Sequence, residues 1–258
     1  EYLGGKWRVA YAPEGREELV NYLQWLTTQL NRSDVRIETD TSVTPDLVRE
    51  REPDALIGCF GGVPNTPPIP GIEGEHVHFV HEVLDGEVTL PPGQEVAVIG
   101  GGGAGVEAAL YLATQYAEDP ETAMYLNRWD VIDDSEVFDR VEKGNDVTVI
   151  GRNDTIGVGL GPSTKWVLRE ELSKLGVITL ADSAAKEITD EGVIVEAPDS
   201  EEFVSADRVV LATGYATPPE LYEGFDGTAE EVYFVGDVVD PDHAIEGTGR
   251  IQEIAMEL

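Results

Sequence analysis

Cysteine is almost absent. Cys59 is the sole one among 258 residues. An intrachain disulfide is therefore excluded, and the chain alone cannot furnish the four thiolates of an iron–sulfur cluster. Lysine is nearly as scarce, with five in the chain. Long apolar runs are missing as well. The longest are strand-sized pieces such as Val209-Val210-Leu211-Ala212, far short of the ~20 residues a membrane-spanning helix needs. No signal peptide is evident, and a reducing cytoplasm is the expected location.

Negative charge is what the chain has in excess: 51 acidic residues against 17 basic ones give a net charge of −34. Such a surface repels nucleic acid and anionic membranes, so neither is an expected partner. Self-repulsion on this scale weakens a compact fold at low ionic strength, and salt screens it. Acidic runs are usually local tails, whereas these residues are spread along the whole chain. With lysine so rare, the pattern is that of a salt-accumulating halophile; an ordinary acidic protein is the alternative. Twenty-eight glycines and 15 prolines suit a loop-rich α/β protein of one large or two modest domains.

The most informative stretch is Val96-Ala97-Val98-Ile99-Gly100-Gly101-Gly102-Gly103-Ala104-Gly105-Val106. Four apolar residues suit a buried parallel strand. Gly100, Gly102 and Gly105 then fit G-x-G-x-x-G, in which the first allows a tight turn. The second lets backbone approach a pyrophosphate, and the third lets helix pack on strand. Residues Val106 to Tyr116 are good helix formers, so a helix N-terminus faces any bound phosphates. Gly103 and Ala104 belong to the same cradle. A glycine-rich surface loop is the alternative, but it requires neither the strand before nor the helix after.

Pro13 to Asn31 reads as an amphipathic helix, Arg36-Ile37-Glu38-Thr39 as a short alternating strand, and Pro45 as the first residue of another helix. Asp54 to Phe60 reads as a buried strand with Cys59 inert inside it. The prolines from Pro64 to Pro70 form a stiff crossover that is neither helix nor central strand. Pro91-Pro92-Gly93 is taken as a domain boundary. Glu118 to Asn145 is a polar, helix-capable insertion, and Asp146 to Ile150 the next strand. A right-handed crossover from Glu95–Ile99 predicts that these two strands are parallel neighbours. Ser163 is expected to cap a helix from Thr164 to Leu175. Short strands follow to Val204, partly as a meander, then Val209 to Ala212, Val232 to Phe234 and a last helix from about Ala244.

This order of signals resembles the pyridine-nucleotide-dependent flavin oxidoreductases with two dinucleotide domains. It is most similar to the C-terminal half of the 2,4-dienoyl-CoA reductase and NADH:flavin oxidoreductase family. Leu3-Gly4-Gly5, Gly61-Gly62-Val63-Pro64 through Thr66-Pro67-Pro68-Ile69-Pro70-Gly71, Gly159-Leu160-Gly161 with Thr164 and Trp166, Ala212-Thr213-Gly214 and Val235-Gly236-Asp237 carry the resemblance. It implies an α/β fold in which a Rossmann-like NAD(P)H domain, residues 93–207, is inserted into a partial FAD-type domain, residues 1–92 and 208–258. It also implies a C-terminal fragment whose FAD site is incomplete, since the family's flavin-side glycine turn and ribose-binding acid precede the matched region. An upstream barrel binding FMN, and a 4Fe–4S cluster, would then be the partners outside this chain. Gly4, Gly5, Gly214, Gly236 and Asp237 correspond to the flavin-side contacts. Asp237 meets the ribityl chain, and the helix from Ala244 points its N-terminus at the flavin. A helix-capping role for Asp237 is the alternative.

Arg152 follows the second strand, where NAD-binding folds usually present an acid to the ribose 2′-hydroxyl. An arginine there can pair with a 2′-phosphate, which points to NADP, while NAD stays open; a solvated surface arginine is the alternative. Asn153 and Lys165 are further coenzyme contacts in this reading. His76, His78 and His81 form H-x-H-x-x-H, but no fourth ligand type accompanies them, so no metal site is assigned. Trp25 and Trp166 read as core residues. No nucleophile–base pair or paired catalytic carboxylates is found, which suits hydride transfer carried by cofactors. The expected function is the nucleotide-binding portion of a flavin-dependent NAD(P)H oxidoreductase that reduces an enoyl-type substrate elsewhere in the protein. A non-redox ADP-binding module, and a domain that pairs with a separate flavin-bearing chain, are the other classes.

Overall fold

A computed structural model describes residues 3–12, 16–142, 144–239 and 244–258. In chain order, it begins with α1 (Trp7–Ala10), α2 (Glu17–Arg32), α3 (Pro45–Arg51), β1 (Ala55–Gly58), β2 (Val63–Pro64), β3 (Val77–Phe79) and α4 (Val80–Leu84). The middle carries β4 (Glu95–Ile99), α5 (Gly103–Thr114), α6 (Pro120–Arg128), α7 (Asp134–Glu142), β5 (Asp146–Ile150) and α8 (Pro162–Lys174). Then come β6 (Ile178–Leu180), β7 (Ala184–Thr189), β8 (Gly192–Glu196), β9 (Glu201–Ser205), β10 (Arg208–Leu211), β11 (Tyr215–Ala216), β12 (Glu231–Phe234) and α9 (Ala244–Glu257).

Two compact units result. One joins Arg36–Asn65 to the described part of Gly214–Leu258, and the other joins the described residues up to Val35 to Thr66–Thr213. The second unit holds a five-stranded sheet in the order β3-β10-β4-β5-β6, with every neighbouring pair parallel. β4 and β5 pair as the crossover argument predicts, Glu95 opposite Asp146 and Ile99 opposite Ile150. Alternate residues feed two cores. Val96, Val98, Val147, Val149 and Val210 pack with Val106, Ala109 and Leu112 of α5 and Leu172 of α8. Ala97, Ile99, Ile150, Val209 and Leu211 pack with Ile188, Val193 and Val195 of the antiparallel β7-β8-β9 meander. Both faces being covered explains why these strands are mostly apolar inside rather than strictly alternating, Thr148 being the polar exception. Each fully buried Val or Leu here contributes about 1.5–3 kcal/mol.

In the other unit β1 and β12 form a parallel pair, and β2 and β11 an antiparallel one. Thr44 caps α3 through its side-chain oxygen, which accepts from the Leu47 N–H at 3.2 Å, and Pro45 follows as the first helical residue. The Phe60 and Phe225 rings lie 4.9 Å apart beside Phe234.

Several sequence expectations are corrected. Arg36 to Thr39 is not a strand; among the described residues no strand pairs with it, and Glu38 is shared by Arg36 and Arg51. The helix expected over Pro13 to Asn31 is described as α2, Glu17–Arg32, and Pro13–Gly15 lie outside the described residues. Cys59 lies just past β1 and is exposed, although the burial its sulfur keeps pushes the thiol pKa up. Trp25 and Trp166 are 55% and 63% exposed. Each stands two residues, about 200° of helix, from an inward leucine, Leu23 or Leu168. Ser163 does not cap α8: Gly161 occupies that position without a side-chain bond, and Pro162 begins the helix. The insertion folds as expected into α6 and α7, with Asp119 accepting from the Thr122 N–H at 2.9 Å. The compact units part at 65/66 and 213/214, and β3 and β10 share the sheet of β4. No helix among the described residues is long and apolar enough to cross a membrane.

Candidate nucleotide-binding turn

The turn between β4 and α5 is built from glycines with separate tasks. Gly100 has φ +134°, a conformation that side-chain-bearing residues rarely adopt, and its N–H donates to the Ile150 carbonyl at 2.9 Å. A Cβ on Gly100 would come within 2.1 Å of the Ala212 carbonyl oxygen, and one on Gly105 within 1.8 Å of the Gly100 carbonyl oxygen. These two are packing glycines that let strand, turn and helix touch. Gly102 differs: a Cβ there would meet nothing nearer than the Val158 carbonyl oxygen at 3.7 Å. Its open side lies at the start of α5.

That helix start is poor in internal partners. Gly102 supplies no capping side chain, and the first turn carries no acid. The first helical bond runs from the Val106 N–H to the Gly102 carbonyl at 3.1 Å. The N–H groups of Gly103, Ala104 and Gly105 precede it, in the first turn, whose donors have no partner within the helix itself. First-turn donors at the positive end of a 12-residue helix form a ready-made site for phosphate.

The loop leaving β5 folds against this turn. The Gly157 N–H donates to the Gly101 carbonyl at 2.7 Å, and Gly102 bridges to Val158. A Cβ on Gly101 would lie 2.9 Å from the Gly151 Cα, so the two strand ends approach backbone to backbone beneath Ile156. Gly151 and Ile156 escaped the sequence reading, since a single glycine and isoleucine carry no spacing signal. Lys165, on α8, turns back over the same loop and donates from Nζ to the Thr155 hydroxyl at 3.0 Å. Arg152 is exposed and has no hydrogen bond or ion pair among the described residues. The Asn153 carbonyl accepts from the Asp182 N–H at 2.8 Å. Thus Gly100, Gly102, Gly103, Ala104, Gly105, Arg152, Asn153 and Lys165 are gathered around one turn and the loop beside it.

The flavin-side candidates divide between the units. Gly4 and Gly5 precede α1; Gly4 is filled by its surroundings, since a Cβ there would lie 2.7 Å from Leu23. In the other unit Gly236 and Asp237 open a short 3₁₀ turn, and a Cβ on Gly247 would lie 3.5 Å from the Gly236 Cα. Gly214, at φ +81°, accepts from the Asn65 N–H at 3.0 Å beside the β2–β11 pair. Ala244 begins α9; the residues immediately before it, 240–243, lie outside the described ones. His78 is half-buried in β3, and desolvation lowers its pKa against the opposing pull of Glu82. Among the described residues no group of three His, Cys, Asp or Glu side chains has the geometry to hold a metal ion.

Known proteins share this architecture. The chain is 32% identical to a metal reductase of Desulforamulus reducens over 93% of its own length and 36% of the relative's. It is 26% identical to an NADH oxidase of Thermoanaerobacter brockii over 100% of this chain and 36% of that protein. The chain therefore spans about a third of the length of these curated relatives. Among solved structures, a 2-naphthoyl-CoA reductase complex with 2-naphthoyl-CoA superposes with a TM-score of 0.79 at 23% identity, covering 96% of this chain and 33% of that one. Histamine dehydrogenase from Rhizobium sp. 4-9 gives 0.73 at 15% identity, over 100% and 39%. These two likenesses establish the α/β fold with its parallel sheet. Residues 9–254 match the model of a named family. The chain belongs to the pyridine nucleotide-disulphide oxidoreductase family.

Proposed function

We propose that this chain is the nicotinamide-nucleotide-binding portion of a flavin-dependent NAD(P)H oxidoreductase. The observation that carries the proposal is an open backbone position at Gly102 beside the first-turn N–H groups of α5, which carries no capping side chain. A pyrophosphate fits there: the donors converge on it, the helix dipole favours it, and no first-turn acid opposes it. The nearby cations support the same reading. In a chain where acids outnumber bases 51 to 17, Arg152 and Lys165 make no carboxylate contact among the described residues.

A bound nicotinamide would supply hydride and a bound FAD would accept it. The residues of this chain bind and orient. Gly102 to Gly105 hold the pyrophosphate, and Arg152 with Asn153 faces the adenosine ribose. Lys165 adds positive charge over the loop. Gly4, Gly5, Gly214, Gly236, Asp237 and the start of α9 at Ala244 are the proposed flavin-side contacts. The finer reading, from the resemblance to the 2,4-dienoyl-CoA reductase and NADH:flavin oxidoreductase family, is reduction of an enoyl-type substrate by the whole protein. FMN and a 4Fe–4S cluster would then be held outside this chain, which has one cysteine. Relatives named for NADH oxidation and metal reduction support the general class.

Amide NMR during titration with NADH and NADPH tests the site. The expected shifts centre on Gly101 to Gly105 and Gly151 to Asn153. Shifts centred elsewhere, or none at millimolar coenzyme, would refute the assignment.

A further inference from the structure

Arg152 does not stand alone at the end of its loop. It lines a hollow of about 370 Å³ together with Asp182 and Ser183 from the β6–β7 connection and Glu196 at the end of β8. One guanidinium thus shares the cavity with two carboxylates, yet among the described residues Arg152 forms an ion pair with neither. The walls are fixed by backbone. The Gly151 N–H donates to Leu180, the Ser183 N–H to Gly151 and the Asp182 N–H to Asn153, at 2.8–2.9 Å. These bonds hold the Asp182 backbone beside the two residues that flank Arg152, and both Asp182 and Arg152 line the hollow. Asp182 takes φ +48° to close the arrangement. That conformation costs a side-chain-bearing residue energy, and Asp and Asn tolerate it best.

A cation and two acids held apart across an open hollow suit a ligand that brings hydroxyl donors. We propose that Asp182 and Glu196 are specificity-determining residues for the coenzyme. They accept from the hydroxyls of an unphosphorylated adenosine ribose and repel a 2′-phosphate, so the charge of the hollow opposes the pull of Arg152 and shifts selectivity toward NAD. The inference rests on the nucleotide site proposed above. It adds two acids that lie 30 and 44 positions beyond Arg152 in the sequence (182 − 152 and 196 − 152).

The test compares 5′-ADP with 2′,5′-ADP by titration calorimetry at fixed salt, on the wild-type chain and on Asp182→Asn with Glu196→Gln. Asparagine retains the left-handed preference at 182, and circular dichroism checks that the double variant is folded. Removing two negative charges from the hollow should raise affinity for 2′,5′-ADP relative to 5′-ADP by roughly tenfold. Each single variant should give part of that change. An unchanged ratio in a folded double variant that binds both ligands overturns the role of the two acids while leaving the nucleotide site in place. If wild-type protein binds neither ligand, the nucleotide site fails and this inference with it.

Discussion

A Cβ on Gly105 would come within 1.8 Å of the Gly100 carbonyl oxygen. Helix α5 therefore rests directly on the turn that precedes it, with no room for a methyl group. Gly105→Ala should force helix and turn apart in a buried setting, costing on the order of 3 kcal/mol by overpacking. Thermal unfolding checks this. A variant as stable as the wild type would mean that the turn yields, and that the close packing is not what positions the helix.

Arg152→Asp should weaken NADP binding more than NAD binding. A charge-assisted contact to a 2′-phosphate is worth about 1.5–3 kcal/mol, and the new carboxylate adds repulsion. Calorimetric titration with both coenzymes measures the difference. Equal losses would place Arg152 away from the ribose.

The turn and the sheet were legible in the sequence because the same residues carry both signals. Val96–Ile99 is apolar throughout, and Val147–Ile150 is so but for Thr148, because helices cover one face and the meander the other. Gly100 meets a backbone conformation and Gly105 a close approach that a side chain would violate, so the glycines stand out in the sequence. Arg36 to Thr39 misled for the opposite reason: alternation marks a strand only where a neighbouring strand exists to pair with it. β3 was missed because three residues interrupted by His78 show no period. Trp25 and Trp166 show that an aromatic on a helix reveals nothing of which face it occupies. Asp182 and Glu196 were invisible because only the β6–β7 connection and the end of β8 bring them to Arg152.

His78 supplies a pH-dependent element. Its pKa is lowered, chiefly by desolvation and further by Arg208 and His76, with Glu82 opposing. The folded state thus binds this proton less readily than the unfolded chain, whose imidazole titrates near 6.5. Between the two pKa values the unfolded state holds more protons, so this contribution to stability is present above the unfolded value. It is lost as pH falls through and below that value. An NMR titration of the His78 ring should give a midpoint below 6.5; a midpoint above it would show that Glu82 outweighs burial.

Charge sets a further expectation. At −34, self-repulsion acts over a Debye length of ~30 Å at 0.01 M salt but only ~3 Å at 1 M. The melting temperature should rise by several degrees or more in molar KCl. Indifference to salt would remove the argument for a halophilic surface.

Gly102 leaves room for a coenzyme pyrophosphate. Its backbone, at φ −80° and ψ −172°, accepts a β-branched residue without strain. Gly102→Val therefore fills the proposed site with little disturbance of the turn. Calorimetric titration of NADH and NADPH into both proteins is the direct measurement. The account predicts saturable binding of one coenzyme per wild-type chain, and its loss in a Gly102→Val protein that keeps its circular dichroism. Equal binding by the folded variant, or none by the wild type, would contradict it.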